Sequence, residues 1–125
     1  MTVVHDAGGL IAADRSDREI WADHRARLEL GVVPVTTAPV VAQVSRSSRQ
    51  AQLRRFLRGC EVAAFDEDDA HEVGALVGKA KASDVVDAHV VVVAHRHGYA
   101  VVTSDERDLR PIVRALGRAV PLIRV

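Results

Sequence analysis

Few of the residues that usually announce a function are present in this chain. There is one cysteine, Cys60, in 125 residues. No intrachain disulfide can form, and the disulfide framework of a small secreted domain is excluded. Aromatics make up 3% of the sequence, as Trp21, Tyr99, Phe56 and Phe65, while 48% is hydrophobic. The core must therefore be built from Val, Leu, Ile and Ala. Net charge is also lacking: 17 Lys and Arg balance 17 Asp and Glu, so global electrostatics give no strong pull toward nucleic acid or an anionic membrane. No apolar run approaches the roughly 20 residues of a membrane span. The start carries no basic region followed by an apolar signal core. The expectation is a soluble, cytoplasmic protein without a membrane partner. Gly8-Gly9 is not followed by the Lys of a phosphate-binding loop. His95 and His97 are two apart, which a helix would point in different directions, and no cysteine supports a zinc site.

The length suits one domain, residues 1–125, with one core. Thr2-Val3-Val4 reads as a short buried strand ending near Asp6 and two glycines. Leu10 to Ala13 reads as a short helix. Ser16 with Glu19 forms a capping-box pattern for a helix to Leu30, with Ile20, Trp21, His24 and Leu28 on one face and Gly31 as its stop. Val32 to Thr36 is a second strand. Thr37-Ala38-Pro39 opens a helix with Pro in the first turn. Ser47 with Gln50 suggests another capping box, for a helix from Arg49 to Arg58 that Gly59 ends. Glu61 to Phe65 is a third strand, and Asp66 caps a helix from Glu67 to Lys81. Tyr99 to Thr103 and Pro121 to Val125 complete the strands. Between them Ser104 caps a short turn or helix, and Pro111 starts another that Gly117 stops. Alternating strands and helices predict an α/β fold with a mostly parallel sheet of about five strands between helices.

The stretch from Ser83 to Leu109 sets carboxylates at each end of an apolar run: Asp84 and Asp87 before it, Asp105 and Asp108 after it. Val90 to Val93 is β-branched and fits either a buried helix or one strand of a hairpin. Ser83 as an N-cap, Asp84 and Asp87 at a positive helix end and Gly98 as a C-cap favour the helix. Asp84 and Asp87 then share a face of the first turn. Asp6 and Asp105 follow strands, and in a parallel sheet those strand ends lie on one rim. Crowded carboxylates raise each other's pKa, and a divalent cation removes that penalty. An oxygen-only set favours Mg²⁺ or Mn²⁺, ions that commonly serve in-line attack on phosphate.

These residues resemble the PIN domain, in particular the VapC-type ribonuclease toxins of bacterial toxin–antitoxin pairs. The likeness rests on Val4-His5-Asp6-Ala7, Ala38-Pro39-Val40-Val41-Ala42-Gln43-Val44, Asp87-Ala88 opening an apolar helix, and Val101-Val102-Thr103-Ser104-Asp105 with Asp108-Leu109, in that order and with 18 residues from Asp87 to Asp105. The resemblance implies a PIN-like α/β/α sandwich and a metal-dependent endoribonuclease that cleaves RNA phosphodiesters. It further implies a type II toxin, blocked by a small cognate antitoxin, and a homodimer. Carried over residue by residue, Asp6, Asp87 and Asp105 fall on the metal-binding acids, with Mg²⁺ or Mn²⁺ as cofactor. Thr103 and Ser104 are nearby hydroxyls, and Asp84 and Asp108 are additional ligands. The family's Glu in the Ala-Pro helix falls on Gln43, a departure that removes one negative charge.

That departure keeps a second reading open: a PIN-like module that binds a partner or RNA but turns over weakly or not at all. Arg46 and Arg49, with Arg54, Arg55 and Arg58, are candidates for RNA phosphates, or equally a solvated face or a surface for an acidic partner. A phosphatase would want a second acid two residues after Asp6, where Gly8 stands. A receiver domain would want an acidic pair near Asp6 and a later Lys, and neither is evident. His5, His89 and Trp21 read as core or boundary residues, Trp21 also as a dimer contact.

Overall fold

The computed structural model describes residues 2–82 and 84–125. Five short strands carry the sheet: β1 (Val3–His5), β2 (Val35–Thr37), β3 (Glu61–Ala63), β4 (Ala100–Thr103) and β5 (Leu122–Arg124). Seven helices lie between them among the described residues: α1 (Ala7–Asp14), α2 (Arg18–Glu29), α3 (Ala38–Val44), α4 (Ala51–Arg58), α5 (Glu67–Ala80), α6 (Val85–His97) and α7 (Glu106–Leu116). The sheet order is β3-β2-β1-β4-β5 and every pair is parallel. Helix α1 packs with α2, α3 and α4, while α6 packs with α5 and α7, and both α1 and α6 lie against β1 and β4. The expected α/β/α sandwich is what forms.

The buried positions explain why so aliphatic a sequence folds this way. Strands β1 and β4 are buried at every residue, as befits central strands covered on both faces. Helix α6 is buried from Ala88 to Ala94, so the Val90–Val93 run is a core helix and the hairpin alternative does not occur. The helix is fixed at its ends. Asp84 Oδ1 accepts the Asp87 N–H at 3.0 Å, and Gly98 closes the other end at φ 74°, a left-handed conformation that glycine adopts without penalty. The cap is thus Asp84; Ser83, given that role from the sequence, lies outside the described residues. Trp21 and Phe56 meet in one cluster, with the His24 ring stacked on Phe56 at 3.9 Å and Trp21 and His5 edge-on to it, while Phe65 packs on His89 and Tyr99 on His97.

Several boundaries differ from the sequence reading, each because a neighbouring side chain competes better for the backbone. Asp17, not Ser16, caps α2, accepting the Ile20 N–H, while Ser16 takes a left-handed turn at φ 61°. The Ser47–Gln50 pair opens no helix. Gln50 accepts from the Arg46 and Ser47 N–H groups and donates to Val44 O and Asp14 Oδ2, so it ties down the loop before α4. Strand β2 runs Val35–Thr37, and Thr37 accepts the Val40 N–H to start α3. β1, α1 and β3 also have other limits than expected: His5 ends β1, α1 begins at Ala7 and β3 stops at Ala63. Past β4, one continuous helix, α7, contains Pro111; it begins after Asp105, and Ser104 is not its cap. An interior proline removes one hydrogen bond and crowds the carbonyl four residues back, yet α7 continues through it, with Leu109 and Ile112 buried.

Candidate active site

The chain reverses direction across the sheet between β1 and β4. From β1 it winds outward to β3, then returns to place β4 on the other side of β1. In open parallel sheets, that switch point at the strands' C-terminal ends is where ligands bind. Each acid singled out from the sequence stands on this rim. Asp6 follows β1 and is the N-cap of α1; Asp105 follows β4 and is the N-cap of α7. Helix α6 runs back to feed β4 from its opposite end, so its N-terminus, with Asp84 and Asp87, returns to the same rim. Asp108 lies in the first turn of α7.

A buried threonine joins two of these segments. Thr103 Oγ1 donates to Asp6 Oδ2 at 3.0 Å and accepts the Asp105 N–H at 2.9 Å. The other Asp6 oxygen accepts the Ala7 N–H at 2.8 Å. Asp6 is only 5% exposed, and its orientation is fixed from both sides. Close approach matters here too. A Cβ on Gly8 would collide with the Ser104 side chain and lie 2.8 Å from the Ser104 backbone nitrogen. The bare glycine lets α1 start against the loop that carries Asp105.

The carboxylates feel one another. Asp87 is pushed up to about 7, first by burial and then by Asp6, Asp84, Asp108 and Asp105. Burial likewise raises Asp6, with Asp84 and Asp105 adding to it and the Ala7 and Thr103 hydrogen bonds opposing it. Asp108 is raised by its hydrogen bond to Asp105 and by that residue's charge. Three segments distant in sequence thus act as one electrostatic unit. Among the described residues no three His, Cys, Asp or Glu side chains are already closed around one point. The donor set is all oxygen, and the crowding of like charge is what a hard divalent cation would relieve. In chemistry the residues fit Mg²⁺ or Mn²⁺.

A cavity of about 370 Å³ opens beside these acids, walled by Asp84, Asp87 and Asp108 on one part and by Lys81, Arg107 and Pro111 on another. Lys81 and Arg107 were not picked out from the sequence; the signal available was the position of Arg107 between Asp105 and Asp108. The remaining candidates are placed elsewhere. Gln43 is exposed on α3, about 9 Å along the helix from Thr37 at 1.5 Å per residue, and among the described residues no hydrogen bond joins it to the acids. Arg46 and Arg49 are exposed in the loop that Gln50 anchors to Asp14, at the end of α1 away from Asp6. Arg55 lies over the Trp21 ring. Cys60 is unreactive by environment, its thiol pushed up to about 12 by burial.

A sequence profile of the PIN domain matches residues 4–113. The chain belongs to the PIN domain family. Among solved structures, it is similar to VapBC2 from Rickettsia felis bound to a DNA fragment from its promoter. That match has 14% identity and a TM-score of 0.70, with 100% of this chain and 99% of the other covered. FitAB bound to an IR36 DNA fragment matches at 15% identity and TM-score 0.65, covering 98% and 94%. FitAcB from Neisseria gonorrhoeae matches at 16% and 0.63, covering 97% and 96%. At these identities the likeness is one of fold. Comparison with curated proteins returns no match. As for membranes, no described helix is long and apolar enough to cross one.

Proposed function

We propose that this PIN domain is a metal-dependent endoribonuclease and the toxin of a type II toxin–antitoxin pair. The observation that carries the reading is the convergence of Asp6, Asp84, Asp87, Asp105 and Asp108 on one rim from three segments, a crowding that helps to push the Asp87 carboxyl up to about 7. PIN domains are generally metal-dependent nucleases, and the solved structures of similar fold include toxin–antitoxin complexes. Asp6, Asp87 and Asp105 would hold Mg²⁺ or Mn²⁺, with Asp84 and Asp108 alongside. The ion's chemistry there is to offset the carboxylates' charge, lower the pKa of water and stabilise negative charge on the phosphate. Thr103 holds Asp6 Oδ2 in position. The N-termini of α1, α6 and α7, all at this rim, turn their positive ends toward it and favour an anionic substrate. A small antitoxin that sets an Arg among the carboxylates would block them through charge-assisted hydrogen bonds. The cytoplasm, a homodimer and an RNA substrate complete the proposal.

The test is cleavage of a mixed RNA pool by the purified protein in millimolar Mn²⁺, beside Asp6→Asn and Asp87→Asn. Cleavage by the parent and loss of it in both variants supports the nuclease. No cleavage by the parent, or equal cleavage by all three, overturns it. The exposed Gln43, where the family's Glu is expected, favours one alternative: a module that binds partner or RNA with little turnover. Restoring the charge separates the two. If Gln43 limits metal binding, Gln43→Glu raises the cleavage rate and lowers the Mn²⁺ concentration required. An unchanged inactive protein would leave the binding module as the reading.

A further inference from the structure

The five aspartates present a problem that this chain must solve locally. A rim of carboxylates repels a polyanionic backbone, and the neutral whole molecule supplies no compensating field. Arg46 and Arg49 do not stand at the acids. Three other arginines are held in ion pairs, Arg27 with Asp23, Arg96 with Asp69 and Glu72, and Arg110 with Glu106. Two basic side chains do line the acidic cavity, Lys81 from the end of α5 and Arg107 from the first turn of α7. Among the described residues neither makes an ion pair within 4.0 Å. The cavity, about 370 Å³, falls in the usual range of ligand clefts, roughly 300–1,000 Å³. Lys81 also holds a left-handed backbone at φ 54° as the C-cap of α5, a conformation that favours glycine over lysine.

Resting on the nuclease reading above, we propose that Lys81 and Arg107 are positioning residues that bind the RNA backbone phosphates beside the acids and offset their repulsion. Each contributes one phosphate contact. Lys81 is brought to the cavity by the left-handed C-cap of α5, and Arg107 offers a planar guanidinium suited to two phosphate oxygens at once.

The test is the salt dependence of binding, measured by fluorescence anisotropy with a short mixed-sequence single-stranded phosphorothioate RNA in Ca²⁺. Each phosphate contact on a single strand contributes about 0.7 to the slope of log K against log salt. Lys81→Gln and Arg107→Ala should each lower the slope by about 0.7, and the double variant by about 1.4. Arg118→Ala, exposed just past the end of α7 away from the rim, should leave it unchanged. Lys81→Gly supplies a second readout: it should raise the melting temperature by relieving the left-handed backbone while weakening RNA binding, a split that a purely structural lysine would not give. A double variant with the parent's slope, or a parent that does not bind the RNA, overturns the proposal. If the slopes fall as expected but Mn²⁺ supports no cleavage, the arms stand and the nuclease reading falls. If RNA is cleaved and the slopes do not move, the reverse holds.

Discussion

Thr103 is the residue on which the two halves of the rim turn. Its hydroxyl gives its proton to Asp6 and its lone pair to the Asp105 backbone, across 97 residues of sequence. Thr103→Val keeps the shape and removes both bonds. It should cost about 1–3 kcal/mol in denaturant unfolding, since a bond to a buried carboxylate and one from a backbone N–H are lost together. The Asp6 carboxyl should then titrate higher still, because the Thr103 bond is one of the two influences holding it down; carboxyl NMR shifts would show this. Gly8→Ala acts on the same junction from the other side. The added methyl must displace Ser104, so cleavage should fall by more than the change in melting temperature accounts for.

At the scale of elements, helix ends repay attention. Gly98→Ala forces a side chain into the left-handed C-cap of α6 and should destabilise by about 1–2 kcal/mol. Gly74→Ala, in the middle of α5 with nothing within 4 Å of the new carbon, should stabilise by about 0.5–1 kcal/mol. Chemical denaturation of the pair checks both signs. The same ends mark what was legible in the sequence. The buried character of Val90–Val93 needed only its flanking caps to be read as a helix, and Asp66 capped α5 as expected, closing a box with Asp69. Caps were misassigned where two competent residues stood side by side, as at Ser16 and Asp17, because sequence does not say which one the chain turns upon. Pro111 misled for a related reason. Proline is commonest in a first turn, yet a helix anchored by Leu109 and Ile112 in the core carries one in its interior despite the lost hydrogen bond and the crowded carbonyl. The acids themselves were legible because strand ends and a returning helix put them on one rim. Lys81 was not, because a lysine ending a helix looks like an ordinary charge at the negative pole.

For the whole molecule, two sets of buried groups pull stability in opposite directions with pH. Asp87 titrates near 7 when folded against 3.8 when free. Its penalty is absent below pH 4 and grows as pH rises toward 7. His5 titrates near 4 when folded against 6.5 when free, and His24 and His89 are shifted the same way by burial. These histidines withdraw stability as pH falls from about 6.5 to 4. Between pH 4 and 7 the Asp87 and His5 effects therefore oppose each other in the metal-free protein. Asp87→Asn should be more stable than the parent at pH 8, by on the order of 1–2 kcal/mol after solvent screening, and no different at pH 4. Its stability should fall the more steeply in acid, since only the histidine effect remains. Mn²⁺ should raise the melting temperature of the parent at pH 8 and do so much less at pH 5; equal shifts at both would count against carboxylate binding.

The strand order has a further consequence during synthesis. The centre of the sheet is β1 beside β4, made from the first residues of the chain and from residues 100–103. Loop closure across that distance is slow relative to local helix formation. A ribosome that has made four-fifths of this protein has therefore produced two of the three acid-bearing segments, those of Asp6 and of Asp84 with Asp87, and no switch point at all. Asp6 waits, without Thr103 to hold it, until the fourth strand emerges and docks. Any product of premature termination before that strand lacks the assembled acids.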